Sequence, residues 1–248
     1  MDLKILLTGA SGVLGREIKA LDHDIYAPSH SEMDLLNKEQ VIDVVEKFYP
    51  DAIIHCAAYT NVSGAEKNRE LCWKTNVDGT RNLLQACENI AWKKIHFTYM
   101  STPCVFRCDR GNYVEDDLPY PKNFYGLTKL LGETLVNGSS QPWLIIRTNF
   151  VAREPWRYEK SFTDRYGTYM YSDEVAKEIL PLIHNGKTGI VHVCGKEKIS
   201  MYDLARKTSP DVKPTTLEEH YRLNPDSAML AQDMSLRSNY TSVAQKIN

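Results

Sequence analysis

Short apolar runs alternate with amphipathic stretches along the first 150 residues of the chain. Lys4–Thr8 is apolar and runs straight into glycines, and Gly15–Leu21 after it has helical spacing. His23–Ala27 reads as a second strand, closed by Pro28. Glu39–Phe48 sets Val41, Val44, Val45 and Phe48 on one helical face, with Pro50 ending it. Ala52–Ala58 is again continuously apolar, and Asn76–Cys87 carries Val77, Leu83, Leu84 and Ala86 on a stripe. Ile95–Ser101 predicts a strand, Tyr125–Val136 a helix and Trp143–Arg147 a strand. Strands that are apolar on both faces and separated by helices predict a parallel sheet covered on both sides, a doubly wound α/β architecture.

Beyond Arg147 the rhythm loosens. Asp173–Ile183 predicts a helix, Gly189–Cys194 a strand, and Ser200–Lys207 a short helix capped by Ser200, while the tail from Pro214 is polar and weakly patterned. The expected division is a doubly wound domain over residues 1–150 and a smaller, partly interleaved lobe over residues 151–248.

Composition narrows the classes. The 248 residues are 42% hydrophobic and 25% charged, which is globular. Thirty basic and 32 acidic residues leave a formal charge of −2 without a Lys/Arg block, so a nucleic-acid surface is not expected. Cys56, Cys72, Cys87, Cys104, Cys108 and Cys194 form no Cys-x-x-Cys and read as free thiols in a reducing compartment. The seven histidines lack metal-ligand spacing, so no metal is expected. No apolar stretch approaches a membrane span, and the opening Met1–Thr8 is acidic at its second position and too short in its apolar run for a signal peptide. A soluble, cytoplasmic protein without nucleic-acid or membrane partners is expected.

Gly9, Gly12 and Gly15 fall between the first strand and the first helix. One glycine permits a tight turn, one lets the backbone approach a pyrophosphate, and one allows close helix–strand packing. The helix start then offers unpaired N–H groups and a positive dipole end to phosphates. A Rossmann-like dinucleotide site is therefore expected. An acid about 20 residues further on would hold a ribose 2′-OH and favour NAD. The second apolar run instead ends Tyr26-Ala27-Pro28-Ser29-His30, which tolerates a 2′-phosphate that His30 helps to hold. NADPH is expected ahead of NADH. Asp34 either reaches the adenine edge or caps the turn before the next helix.

Tyr125 and Lys129 are four residues apart on a predicted helix, hence on one face. The chain contains a single Tyr-x-x-x-Lys, and it follows the strand that ends in Ser101 and Thr102. A neighbouring ammonium lowers the phenol pKa from its usual value near 10. Tyr125 then serves as general acid toward a carbonyl oxygen, with Lys129 tuning it and binding the nicotinamide ribose, and with Thr102 or Ser101 holding the same oxygen.

With these residues in place the chain resembles the extended short-chain dehydrogenase/reductase superfamily, and within it the dTDP-4-dehydrorhamnose reductase family. The resemblance rests on Cys56-Ala57-Ala58-Tyr59-Thr60-Asn61-Val62 with Ala65-Glu66, on Asn76-Val77-Asp78-Gly79-Thr80, and on Ser101-Thr102-Pro103-Cys104-Val105-Phe106. Glu115-Asp116-Asp117, Pro121 before Asn123-Phe124-Tyr125-Gly126, and Asp164-Arg165-Tyr166-Gly167-Thr168 followed by Asp173-Glu174-Val175-Ala176 extend it to about residue 210. It implies NAD(P)H-dependent reduction of the C4 ketone of dTDP-4-dehydro-β-L-rhamnose to dTDP-L-rhamnose. Thr102, Tyr125 and Lys129 take the catalytic roles. Cofactor contacts are implied at Gly9, Ser11, Gly12, Val13, Leu14, His30, Asp34, Leu35, Ala57, Ala58, Tyr59, Thr60 and Asn76, besides Tyr125 and Lys129. Substrate contacts are implied at Ser101, Thr102, Pro103 and Phe150, and the resemblance leaves a homodimer open.

The chain departs from the family where Pro103 replaces Asp, Cys104 replaces Tyr, and Phe150 stands in the place of Trp. Val151–Ser161 is also shorter than the family's segment, which predicts a more open sugar site. The alternatives are another nucleotide-sugar reductase or epimerase, UDP- or GDP-linked, and a catalytically silent dinucleotide-binding regulatory subunit. A 4,6-dehydratase is disfavoured, because Pro103 and Cys104 leave no acid after Thr102 to eliminate water.

Overall fold

The computed structural model describes residues 3–90 and 92–239. In chain order the strands are β1 (Ile5–Thr8), β2 (Ala52–His55), β3 (His96–Ser101), β4 (Trp143–Thr148), β5 (Phe150–Val151), β6 (Lys160–Phe162), β7 (Tyr166–Gly167), β8 (Met170–Tyr171), β9 (Gly189–Val193), β10 (Ile199–Ser200) and β11 (Lys213–Thr215). The helices are α1 (Val13–Leu21), α2 (Lys38–Phe48), α3 (Val62–Lys67), α4 (Arg69–Trp73), α5 (Gly79–Asn89), α6 (Phe124–Asn137), α7 (Ser172–His184), α8 (Met201–Arg206) and α9 (Leu217–Leu223).

The central sheet runs β1-β2-β3-β4-β9, and every pair in it is parallel. Side chains alternate across a strand, so a sheet covered twice favours apolar residues at positions facing either side, with polar ones buried only where they are hydrogen-bonded. Ile5 and Leu7 pack with Leu14 and Ile18 of α1 and with Val175 and Ile179 of α7. Leu6 points the other way, among Val41 and Val45 of α2 and Leu83 of α5. The same split separates Ile53 from Ile54 and Ile145 from Ile146. The fold is the expected doubly wound, Rossmann-like one. Strand β9 and helix α7 come from beyond residue 150 yet complete this sheet and its cover.

Two expectations are corrected. His23–Ala27 forms no strand. Tyr26 alone bridges Leu6, through Leu7 N to Tyr26 O at 2.8 Å and Tyr26 N to Ile5 O at 2.9 Å. Asp22 caps the approach by accepting from Asp24 N, and Pro28 has no N–H to continue the ladder. The tail from Pro214, weakly patterned in sequence, is regular in part over the described residues 214–239. Lys213–Thr215 pairs with β6, α9 follows behind a Thr216 N-cap, and the chain then threads between Cys108, Tyr113 and Tyr166. There Ala231, Met234 and Leu236 join Phe106, Tyr113 and Tyr125 in a third apolar cluster. Periodicity could not reveal this segment, because its backbone bonds go to loops rather than to a regular ladder. Among the described residues no helix is long and apolar enough to cross a membrane.

Because the chain leaves β1 for Tyr26 on one side and returns to β2 on the other, strand order reverses at β1. A crevice at the carboxyl ends of the strands is the consequence, and open α/β sheets bind ligands there.

Candidate active site

A cleft of about 1040 Å³ opens at that point, floored by Thr8, Cys56, Ser101, Thr102 and Thr148. At one end lies the glycine turn. Gly9 has φ +73°, and a Cβ there would sit 2.6 Å from Ala57 N. A Cβ on Gly15 would sit 2.2 Å from Gly9 O, whereas one on Gly12 would meet only Gly9 O, at 3.2 Å. Gly9 and Gly15 therefore close the turn, and Gly12 leaves room above it. Helix α1 starts at Gly12 with no side-chain cap and no acid in its first turn, so its N–H groups face the cleft with the dipole unopposed. A pyrophosphate fits that cradle.

Ser11, Val13, Leu14, His30, Asp34, Leu35, Ala57, Ala58 and Thr60 also line the cleft, as do Thr102, Tyr125, Lys129 and Phe150. Asp34 Oδ1 accepts the Leu36 N–H at 2.9 Å, so it caps the turn, and Asn37 rather than Asp34 caps α2. Glu32, which the sequence reading did not single out, lines the same end and accepts the Ser29 N–H at 2.7 Å. Tyr59, Asn76 and Pro103 stay outside the lining. Asn76 is buried, in a π-helical turn (Lys74–Asp78) where the sequence predicted ordinary helix. Its Oδ1 accepts from Tyr59 N at 2.7 Å, and its Nδ2 donates to Tyr59 O at 3.1 Å and Thr128 Oγ1 at 2.9 Å. It thus ties the Ala57–Thr60 wall to the helix carrying Tyr125. Pro103 starts a buried 3₁₀ turn.

A second buried network ties the same wall to the end of β1. Thr80 Oγ1 donates to Asn76 O at 2.8 Å, so it accepts from His55 Nε2 at 3.0 Å. His55 Nδ1 is left as acceptor for Thr8 Oγ1 at 2.7 Å, and that oxygen accepts Ala57 N–H at 3.2 Å. The ring is neutral, and burial pushes its pKa down to about 3. In the unfolded chain the value is near 6.5. The group's contribution is therefore complete above pH 6.5 and is lost as pH falls toward 3. Urea titrations should show stability falling between pH 6.5 and 4, with on the order of 3 kcal/mol due to His55. That share of the slope should disappear in His55→Gln, and an unchanged slope would refute the assignment.

Tyr125 sits in the first turn of α6, whose cap is Asn123 Oδ1 accepting from Gly126 N at 2.8 Å. Lys129 follows one turn later, and both are buried against the cleft. Thr102 Oγ1 accepts the Cys104 N–H at 3.2 Å, which leaves its own O–H to donate. Ser101 is committed elsewhere. Its hydroxyl donates to Glu133 Oε1 at 2.5 Å, and Glu133 in turn holds Arg147 through Nε and Nη2 at 2.9 and 2.7 Å. Of the two hydroxyls expected to meet substrate, only Thr102 has its proton available.

The Tyr125 pKa is raised, rather than lowered as expected. Burial pushes the phenol pKa up, the Cys104 thiol adds to this, and Thr102 opposes it. The Lys129 ammonium lies 3.9 Å from the Tyr99 ring centre, a cation–π contact, and burial lowers its pKa to about 7 against the pull of Glu133. Gly132 makes room for that ring, since a Cβ there would fall 2.0 Å from the Tyr99 hydroxyl. At neutral pH the phenol keeps its proton, which is the state a general acid needs. Cys56 and Cys104 carry thiols whose pKa burial raises, Cys56 to about 12, so neither is a nucleophile. All six cysteines are free.

Sequence reasoning missed Thr148, Asn149, Arg165 and Met234, which line the cleft. Arg165 stands inside a recognised motif, but Met234 comes from the unpatterned tail and carried no signal.

A sheet that reverses at a glycine turn, with a Tyr–Lys pair facing the same crevice, defines an extended short-chain dehydrogenase/reductase. Within that class the chain belongs to the RmlD substrate binding domain family, which it matches over residues 3–229. It is 30% identical over 231 residues to a dTDP-4-dehydrorhamnose reductase of Aggregatibacter actinomycetemcomitans, covering 82% of this chain and 76% of that one. It is likewise 30% identical over 224 residues to a dTDP-4-keto-6-deoxy-D-glucose reductase of Streptomyces niveus, with the same coverage, 82% and 76%. Among solved structures, a dTDP-4-dehydrorhamnose reductase of Bacillus anthracis in complex with NADP superposes with a TM-score of 0.85 at 29% identity, covering 96% of this chain and 92% of that one.

Proposed function

We propose that the protein is an NADPH-dependent reductase of a nucleotide-linked 4-keto-6-deoxy sugar, with dTDP-4-dehydrorhamnose as substrate and dTDP-L-rhamnose as product. The observation that carries this reading is the convergence of Thr102, Tyr125 and Lys129 on the cleft whose other end is the uncapped start of α1. Gly9, Ser11, Gly12, Val13 and Leu14 would hold the dinucleotide pyrophosphate, with Ala57, Ala58 and Thr60 along its side and His30 toward the 2′-phosphate. The relative from Bacillus anthracis, which holds NADP, supports that choice of dinucleotide.

When bound, the reduced nicotinamide supplies hydride to the ketone carbon. The chain does the rest. Thr102 Oγ1–H donates to the ketone oxygen and fixes its position. Tyr125 gives its proton to the same oxygen as negative charge builds there, which offsets the weak acidity of a buried phenol. Lys129, charged below a pKa of about 7, stabilises the phenolate left behind and binds the nicotinamide ribose. Asn76 and Glu133 keep the helix and the strand end in register, and Phe150 borders the sugar. The six free cysteines support a reducing, cytoplasmic setting.

The test is a turnover screen of dTDP-, UDP- and GDP-linked 4-keto-6-deoxy sugars with NADPH and NADH, read at the reduced-nicotinamide absorbance. Consumption of NADPH with the dTDP sugar is expected, together with tighter binding of NADPH than NADH. Binding of the dinucleotide without turnover of any of these sugars would sink the proposal.

A further inference from the structure

The end of the cleft beyond Tyr125 carries polar groups that reduction itself does not use. Arg165, in the turn between β6 and β7, lines it together with Cys104, Asn149 and Phe150. Its guanidinium is fixed in place. Nε donates to Ala231 O at 2.8 Å, Nη1 contacts the Met201 sulfur at 3.9 Å, and Cζ lies 5.0 Å from the Phe162 ring centre. Arginine has five N–H donors, so three remain without a protein acceptor among the described residues.

The acids that could have neutralised it are engaged elsewhere. Asp164, its neighbour in sequence, accepts the Leu217 N–H on both oxygens, at 3.0 and 2.9 Å. Asp233, on the segment that supplies Ala231, is held by Lys198 and Ser235. By contrast Arg147 and Arg153 each have carboxylate partners. In this wall Thr148 Oγ1 is buried without a hydrogen-bond partner among the described residues, and Asn149 Nδ2 has the Tyr169 hydroxyl as its neighbour. A half-buried cation without a counter-charge, beside an unpaired polar atom, is costly unless a ligand satisfies it. A rigid fork of N–H donors suits phosphate oxygens, which it can grip in pairs.

We infer that Arg165 binds the diphosphate of the substrate, with Asn149 as a second donor, so that this end of the cleft selects a sugar carried on a nucleoside diphosphate. The inference rests on the reading of the site as a nucleotide-sugar reductase. It gives the cleft two anion sites, one at α1 for the dinucleotide and one at Arg165 for the substrate.

The test is calorimetry on the intact protein saturated with NADP⁺, so that probes cannot enter the groove at α1. The probes are dTDP, UDP and GDP and their parent nucleosides. At least one diphosphate should bind about 10- to 100-fold tighter than its nucleoside. Arg165→Gln, which keeps a donor for the Ala231 carbonyl, should collapse that gap while leaving NADP⁺ affinity unchanged. With the keto sugar it should raise KM with little change in kcat. Two results would overturn the inference: an undiminished gap in Arg165→Gln, or no gap in the unmodified protein, a measurement that does not depend on the variant folding. If the protein grips a diphosphate through Arg165 yet reduces no keto sugar, the reductase reading fails and Arg165 keeps its role. Turnover with an unchanged KM in Arg165→Gln has the opposite meaning.

Discussion

Tyr125→Phe is expected to lower kcat by about 10²- to 10⁴-fold while leaving the Kd for NADPH within about twofold. The substitution removes one oxygen and keeps the ring. That ring packs among Cys72, Cys104 and Met234, and the Tyr125 carbonyl still accepts from Thr128 Oγ1 at 2.8 Å, so helix α6 keeps its place. What is lost is the proton that the ketone oxygen needs as it becomes an alkoxide. Thr102 cannot replace it, because a hydroxyl with an ordinary aliphatic pKa donates a hydrogen bond without transferring the proton. Stopped-flow binding and steady-state turnover of the same preparation separate the two effects. Full turnover with intact cofactor binding would show that the acid is another group.

Arg147→Met should cost about 3–5 kcal/mol of stability and lower Tm by about 10 °C. Both side chains of the Arg147–Glu133 pair are almost fully buried, at 2% and 6% exposure, and the pair is bidentate. Removing the guanidinium strands a carboxylate in the interior, with Ser101 as its remaining donor. Glu133→Leu should cost a similar amount for the mirror-image reason. Removing both charges, as Glu133→Leu with Arg147→Met, should recover much of the loss, because neither member of the pair is then left without the other, while Lys129 loses the pull of Glu133 and shifts further toward its neutral form. Adding Ser101→Ala removes the hydroxyl that the double variant leaves without an acceptor. Thermal unfolding of the four variants checks this, and a single variant losing less than about 1 kcal/mol would refute it. The pair also joins β3, β4 and α6 directly behind Thr102 and Tyr125, so the single variants should lose activity before they unfold.

Much of the molecule was legible in the chain. The apolar runs of β1, β2, β3 and β4 were readable because a sheet covered on both faces admits no polar alternation, and α6 and α7 because their stripes repeat at helical spacing. Gly9 and Gly15 were readable because a Cβ there is excluded, and Gly12 because its spacing leaves room above the turn. Misreadings came where partners are distant in sequence. Tyr26 makes one bridge where a strand was expected. Asn76 clamps Tyr59 and Thr128 behind the wall of the site, and Ser101 gives its hydroxyl to Glu133.

By itself, then, the sequence determined the doubly wound sheet, the glycine cradle and the Tyr125–Lys129 face. Each is set by local periodicity or by a spacing that can be read within a few residues. The tertiary structure alone decided which hydroxyl keeps its proton available, how burial raises the Tyr125 pKa and lowers that of Lys129, and that Arg165 and the segment around Met234 complete the cleft. Those outcomes depend on desolvation and on hydrogen bonds between residues far apart in sequence, 66 positions in the case of Arg165 and Ala231. No local pattern encodes such pairings, because folding alone brings their partners together.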